Sequence, residues 1–289
     1  YSAMLVGKIR GAGLRKILGA ENNQVLVHIF TESFIFLLHA VKKTSIRELR
    51  SNSMLSGYAG KIGWVNLNRR TTRVEALDES TAGDYLGGKA LGAYLLYSHL
   101  KPNIDPYDPA NMLIFITGPL TGTPFPAASR SAVITRSPMT GTILDSYAGG
   151  FFGPHLKRAG FDILIIVGKA NNPAYVLVED GKIKIEEAHH LWGLSTSDTE
   201  TRLQEQHQKE KGERVSIAVI GPAVEKRVRF SNIVNEGRCY GRGGAGAVMG
   251  SKNLKAVVLR GNQTIRVRDE TGFKAVVDRC RRRKPPVCS

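Results

Sequence analysis

The stretch Gly241-Arg242-Gly243-Gly244-Ala245-Gly246-Ala247-Val248-Met249-Gly250-Ser251-Lys252-Asn253-Leu254-Lys255-Ala256-Val257 opens as a glycine-dense loop and closes in an apolar run that reads as a strand. Glycines at this density let the backbone enter the positive-φ region and approach a ligand closely. Successive free N–H groups in such a loop make a nest for phosphate or another anion. Arg242 and Lys252 place positive charge on either side. The same glycines equally suit a tight connection between packed elements, where only sterics demand them. Both readings stand at this point.

Two phosphate-binding patterns are close to this stretch and neither fits. Gly241-x-Gly243-x-x-Gly246 has the dinucleotide spacing, which requires a strand before it, a helix after it and an acidic residue about 20 positions on. Asn232 to Tyr240 is not a clean buried strand, and Arg260 ends the following strand where the acid belongs. In the ATPase loop a lysine precedes the hydroxyl residue, whereas Lys252 follows Ser251.

Working outward, the preceding segments supply strands. Lys61 to Leu67 alternates apolar and polar, and Thr72 to Leu77 returns after the Asn68-to-Thr71 turn. Met112 to Thr117, Ser131 to Thr135, Ile163 to Val167, Ala174 to Val178, Lys182 to Ile185 and Val215 to Ile220 complete the set. Asp180-Gly181 is a hairpin signal. Helices are expected over Tyr85 to Leu96, Pro154 to Ala159 and Thr196 to Lys211, the last exposed and amphipathic. Many strands with no βαβ rhythm point to an α+β fold of mixed or antiparallel sheets with flanking helices. Strand, Gly-Pro, loop and glycine cluster occur twice, from Gly118-Pro119 to Gly150 and from Gly221-Pro222 to Gly246, which suggests an internal duplication.

The chain has 289 residues and a formal net charge of +16. Arg279, Arg281, Arg282, Arg283 and Lys284 form a basic tail without interleaved aromatics, which disfavours a single-strand nucleic-acid platform. We therefore expect no nucleic-acid partner. The three cysteines, Cys239, Cys280 and Cys288, show no C-x-x-C spacing, so no complete zinc or iron–sulfur ligand set is visible. Their sparse, odd number suits a reducing, cytoplasmic setting. Residues 1–53 differ in character. Arg15-Lys16-Ile17-Leu18-Gly19-Ala20 and Thr31-Glu32-Ser33 resemble the coupling-helix region of FtsX/MacB-type ABC transporter permeases. The expected division is a permease-like helical extension over 1–53, a main domain over 54–277 with no membrane segment, and a basic tail over 278–289.

Three motifs together carry a second and longer resemblance: Gly118-Pro119-Leu120-Thr121-Gly122-Thr123, Arg136-Ser137-Pro138-Met139-Thr140-Gly141, and Gly241 to Ala256. In this order they resemble the N-terminal domain of the tungsten-containing aldehyde ferredoxin oxidoreductases, from about Gly57 to about Val277. The resemblance implies a base of two packed β-sheets carrying a bis-molybdopterin tungsten, or molybdenum, cofactor. It implies oxidation of an aldehyde to a carboxylic acid with ferredoxin as electron acceptor, in a homodimer. Carried onto this sequence, the cofactor contacts fall at Arg130, Tyr147, Gly149, Gly150, Arg238, Cys239, Gly241, Arg242, Gly243 and Gly244. A magnesium ion bridging the pterin phosphates falls to the backbone of Tyr147 and Cys239. The family has an asparagine where Tyr147 stands, so this member differs there. The Cys239 side chain itself reads as a small apolar residue of the interior. The family's [4Fe–4S] ligands and proton-handling groups lie on two further helical domains, and Cys280 and Cys288 lack the cluster spacing. The chain is thus expected to be a truncated, cofactor-binding piece. The alternative is a non-catalytic structural or interaction module.

Overall fold

The computed structural model describes residues 55–208, 214–226 and 228–282. The chain divides into two compact units, Tyr1–Leu55 and Ser56–Ser289. The permease-like stretch, Cys288 and the last basic residues lie outside the described residues.

The first half of the second unit runs β1 (Lys61–Asn66), β2 (Thr71–Ala76), α1 (Glu79–Tyr85), α2 (Gly88–His99), β3 (Leu113–Ile116), β4 (Ser131–Arg136), β5 (Ile143–Ala148), α3 (Phe152–Arg158) and β6 (Ile163–Val167). The second half runs β7 (Ala174–Glu179), β8 (Lys182–Glu187), α4 (Thr196–His207), β9 (Ser216–Val219), α5 (Pro222–Glu225), β10 (Ile233–Asn235), β11 (Arg238–Tyr240), α6 (Ala245–Ser251) and β12 (Leu254–Arg260). Helix α7 (Glu270–Arg282) follows.

Each half makes one six-stranded sheet, ordered β2-β1-β6-β3-β4-β5 and β11-β10-β9-β12-β7-β8. In each, an antiparallel hairpin leads, its first strand pairs parallel with the last strand of the half, and the other neighbours are antiparallel. The duplication suggested by the repeated Gly-Pro and glycine clusters is therefore a duplication of topology. It also shows why no βαβ rhythm was legible: each parallel pair is closed by a crossover as long as the half itself.

Alternation assigns the faces. Leu113, Phe115, Leu164 and Ile166 from the first sheet and Val176, Val178, Val257 and Leu259 from the second fill the core between the sheets. The outer face of the second sheet is covered by α4 through Leu203. The two short helices α3 and α6 lie inside, and each packs on the other half's sheet: α3 on β9 and β12, α6 on β3 and β4. All seven residues of α6 are buried, so its sequence has to be small. A Cβ at Gly246 would lie 2.6 Å from the Asn232 carbonyl oxygen, and one at Gly250 2.6 Å from that of Val224.

Several local expectations change. The helix expected over Tyr85 to Leu96 is two helices, because Leu86 takes φ 58° and ψ −68° and Gly87 N–H donates back to the Tyr85 carbonyl at 2.7 Å. This is a γ-turn, and the Gly87-Gly88 pair is what lets the chain leave it. Helix α4 ends at His207, and Lys211 lies outside the described residues. Asn232 to Tyr240, read as irregular, contains the β10–β11 hairpin, whose turn Glu236-Gly237 has φ of 47° and 72°.

Lys252 does not flank a ligand loop. It is buried, and its Nζ donates to the carbonyls of Pro109 at 3.0 Å and Gly168 at 3.3 Å. Burial lowers its pKa from 10.5 to about 7, against the pull of Asp108. Between those values the unfolded chain holds a proton that the folded chain has released. The stability this residue contributes is therefore complete above pH 10.5 and is lost as pH falls toward 7. Lys252→Met is expected to flatten the rise of the urea midpoint between pH 7 and 9.5 relative to wild type.

Candidate functional site

The site is built where the edge strands β5 and β11 of the two sheets come together. The register gives them equivalent positions. Ser131 faces Ala148 and Ala132 faces Tyr147 in one sheet; Ile233 faces Tyr240 and Val234 faces Cys239 in the other. Tyr147 and Cys239 are thus each the second-to-last residue of their strand, followed by a buried residue and then by Gly149 or Gly241. Three hydrogen bonds join the edges of the two sheets. The hydroxyls of Ser131 and Tyr240 lie 2.6 Å apart, Arg242 N–H donates to Ser146 Oγ at 3.2 Å, and Asn235 Nδ2 donates to the Gly149 carbonyl at 3.4 Å. Residues about a hundred positions apart are thereby placed side by side.

Arg130, Tyr147, Arg238, Cys239, Gly241 and Arg242 are all exposed along this seam. The exposure of Cys239 corrects its reading as an interior residue: on an edge strand the alternation sends Tyr240 inward and Cys239 outward. No carboxylate pairs with Arg130, Arg238 or Arg242 among the described residues. A Cβ at Gly149 would meet nothing within 4 Å, so the backbone there borders open space.

The glycines of the loop that opened the sequence reading behave differently. Gly243 and Gly244 have φ of 69° and 79°, and a Cβ on them would lie 2.0 Å from Leu144 Cδ1 and 2.0 Å from the Arg229 carbonyl oxygen. The N–H of Gly246 is already bonded to Ser231 O. At positions 243, 244 and 246 packing alone already requires glycine. Gly150, at φ 91°, faces Asn235 Oδ1 and Arg238 Cγ.

Arg130 stands between two shallow hollows. One, of about 250 Å³, is lined by Leu86, Gly88, Thr117, Pro119, Arg130 and Tyr147. The other, of about 320 Å³, includes Leu120, Thr121, Phe125, Pro126 and Arg130. The Tyr147 hydroxyl accepts from Lys89 N–H at 3.0 Å, and Lys89 Nζ lies 3.4 Å from Asp145. Burial, aided by Asp145, raises the Tyr147 pKa, while the Lys89 N–H opposes. Tyr147 is therefore a neutral hydroxyl at physiological pH. The floor of these hollows is held by Lys157, whose buried Nζ donates to the carbonyls of Gly118 at 2.6 Å, Pro119 at 3.2 Å and Gly57. Asp162, 4.0 Å from that ammonium group, accepts from the N–H groups of Ala59 and Gly60.

Sequence reading missed Asn235, Ser146 and the Gly87-Gly88 elbow. The first two are ordinary polar residues of strands, marked only by the face they occupy once the edges meet. Among the described residues no group of three or more His, Cys, Asp or Glu is arranged to hold a metal ion, and no helix is long and apolar enough to cross a membrane.

Comparison with known proteins agrees with the motifs. The family model for the aldehyde ferredoxin oxidoreductase N-terminal domain matches residues 62–261. The tungsten-containing aldehyde ferredoxin oxidoreductases of Pyrococcus horikoshii and Pyrococcus furiosus are 48% and 45% identical over 223 residues, 76% of this chain and 36% of theirs. Among solved structures, the active-site complex BamBC of benzoyl coenzyme A reductase with 1,5-dienoyl-CoA matches with a TM-score of 0.75 and 34% identity, covering 78% of this chain and 34% of that one. The chain spans about a third of the length of these relatives. It belongs to the aldehyde ferredoxin oxidoreductase family and carries that family's N-terminal domain.

Proposed function

We propose that this domain is the base on which a tungsten–pterin cofactor sits, in an enzyme that oxidises aldehydes to carboxylic acids and passes the electrons to ferredoxin. The observation that carries the reading is the seam itself: three exposed guanidinium groups with no carboxylate partner among the described residues, beside backbone that borders open space at Gly149. Guanidinium forks match phosphate oxygens, and none of these three is ion-paired with a carboxylate among the described residues. The residues present therefore fit a ligand with two phosphate-bearing arms.

In this reading Arg130, Arg238 and Arg242 hold phosphate or pterin edges, and Gly149 and Gly241 allow the backbone to come close. The carbonyls of Tyr147 and Cys239, at equivalent ends of the two sheets, offer hard oxygen ligands to a magnesium ion between the phosphates. Gly150, Gly243 and Gly244 keep the turns in shape. When bound, the metal–pterin group supplies the redox chemistry. This chain's own residues orient it and screen its phosphates. The iron–sulfur cysteines, the proton-handling groups and the surface for ferredoxin are assigned to the length of the relatives that this chain does not span.

The test is the metal and pterin content of the purified chain, by elemental mass spectrometry and pterin fluorescence. Arg130→Ala is expected to weaken cofactor retention by about 10–100-fold, the worth of one charge-assisted contact to phosphate. Unchanged content in Arg130→Ala and Arg238→Ala would sink the assignment.

A further inference from the structure

Arg238 has an acid two residues away and does not pair with it. The segments 129–150 and 229–246, which form the seam, contain one acidic residue each, Asp145 and Glu236. Glu236 sits in the β10–β11 turn, at φ 47°, directly ahead of Gly237 and Arg238. A carboxylate so close along the chain is a natural partner for the Arg238 fork, and in that place it would compete with phosphate. It is held elsewhere. Glu236 Oε1 accepts from Ser216 Oγ at 2.7 Å, and Glu236 Oε2 lies 3.6 Å from Arg214 Nη1. Arg214 is in turn aimed by Phe151, two residues past Gly149. The guanidinium carbon lies 3.7 Å from the centre of that ring, a cation–π contact. The other half of the seam has the same arrangement, with Asp145 held 3.4 Å from Lys89 Nζ. The backbone of the β10–β11 turn is anchored separately, because Glu236 N–H donates to Glu200 Oε1 at 3.1 Å.

We propose that Arg214 is a positioning residue for the seam: it holds the Glu236 carboxylate and so leaves the Arg238 fork open to an anion. The proposal rests on the phosphate-holding reading of the seam. It adds a residue that touches no ligand and acts by keeping an internal competitor away from the site.

A double-mutant cycle tests it, with the full chain, inorganic pyrophosphate as probe, and titration calorimetry at low salt, where part-exposed charges are least screened. Arg214→Ala releases Glu236 to pair with Arg238 and should weaken pyrophosphate binding by about fivefold, the upper worth of a part-exposed ion pair. Glu236→Gln keeps an acceptor for Ser216 and should bind within about twofold of wild type. The double variant should bind like Glu236→Gln, because no carboxylate is left to release. The turn keeps its bond to Glu200, so all three variants should melt close to wild type. An unchanged affinity in Arg214→Ala overturns the proposal. An equal loss from Arg214→Ala in both backgrounds also overturns it, since Arg214 would then act through its own charge. A loss in Glu236→Gln as large as in Arg214→Ala overturns it too, since the pair would then only brace the turn. Each of these results leaves the phosphate site standing. A wild-type chain that does not bind pyrophosphate overturns the phosphate site, and this proposal with it.

Discussion

Gly244→Ala is expected to remove about 3 kcal/mol or more of folding stability, read as a fall in the urea midpoint. Two terms add. Gly244 has φ 79°, where an L-residue costs about 1–2 kcal/mol. Its new Cβ would stand 2.0 Å from the Arg229 carbonyl oxygen and 2.8 Å from Pro138 Cγ, and a backbone oxygen cannot turn aside as a side chain can. Overpacking of this kind adds about 1–3 kcal/mol. Gly149→Ala is the control. Gly149 is not at positive φ and its Cβ would meet nothing. That variant should stay within about 1 kcal/mol of wild type in stability, so any loss of metal and pterin in it reports on ligand approach. A mild Gly244→Ala would mean that the loop can move away from Arg229.

Glu225→Ala is expected to cost about 3–5 kcal/mol, because it strands a buried ammonium group. Lys255 is fully buried and its Nζ lies 2.6 Å from Glu225 Oε1 and 2.9 Å from the Leu194 carbonyl. Glu225 also accepts from Gly193 N–H through both oxygens, at 2.9 and 3.1 Å. One carboxylate thus ties α5, β12 and the loop ahead of α4. Removing both charges is a different experiment. Glu225→Leu with Lys255→Met leaves no stranded ion, and replacing a buried pair by apolar groups is often close to neutral. The double variant should therefore be more stable than Glu225→Ala alone. If it is not, the carboxylate's bonds to the Gly193 backbone outweigh the ion pair.

The strands were legible because burial writes itself into alternation and into runs such as Ile163 to Val167. The fold class and the duplication followed from those strands and from the repeated Gly-Pro signals. The break at Leu86 was not legible, since a γ-turn has no side-chain signature and Tyr85 to Leu96 keeps a helical pattern. The β10–β11 hairpin was missed because Glu236-Gly237 is a weaker turn signal than Asp180-Gly181, although both adopt positive φ at both positions. The motifs marked the family, but the surroundings of the glycines were not legible. A Cβ would meet open space at Gly149 and a neighbouring carbonyl at Gly244, and only the neighbours tell the two apart. Charge misled for the same reason: Lys252 and Arg242 look alike in sequence, yet one is spent on internal carbonyls and the other faces outward. Asn235 could not be singled out, because nothing in the sequence shows that it is buried against the Gly149 turn.

Lys157 has a mechanical consequence. Its single ammonium group grips the Gly57 carbonyl on the incoming chain and the Gly118 and Pro119 carbonyls beneath Arg130. One side chain thus fastens Gly57, whose N–H is bonded to the Arg266 carbonyl, to the loop that carries Arg130, so Lys157→Met should loosen both segments together.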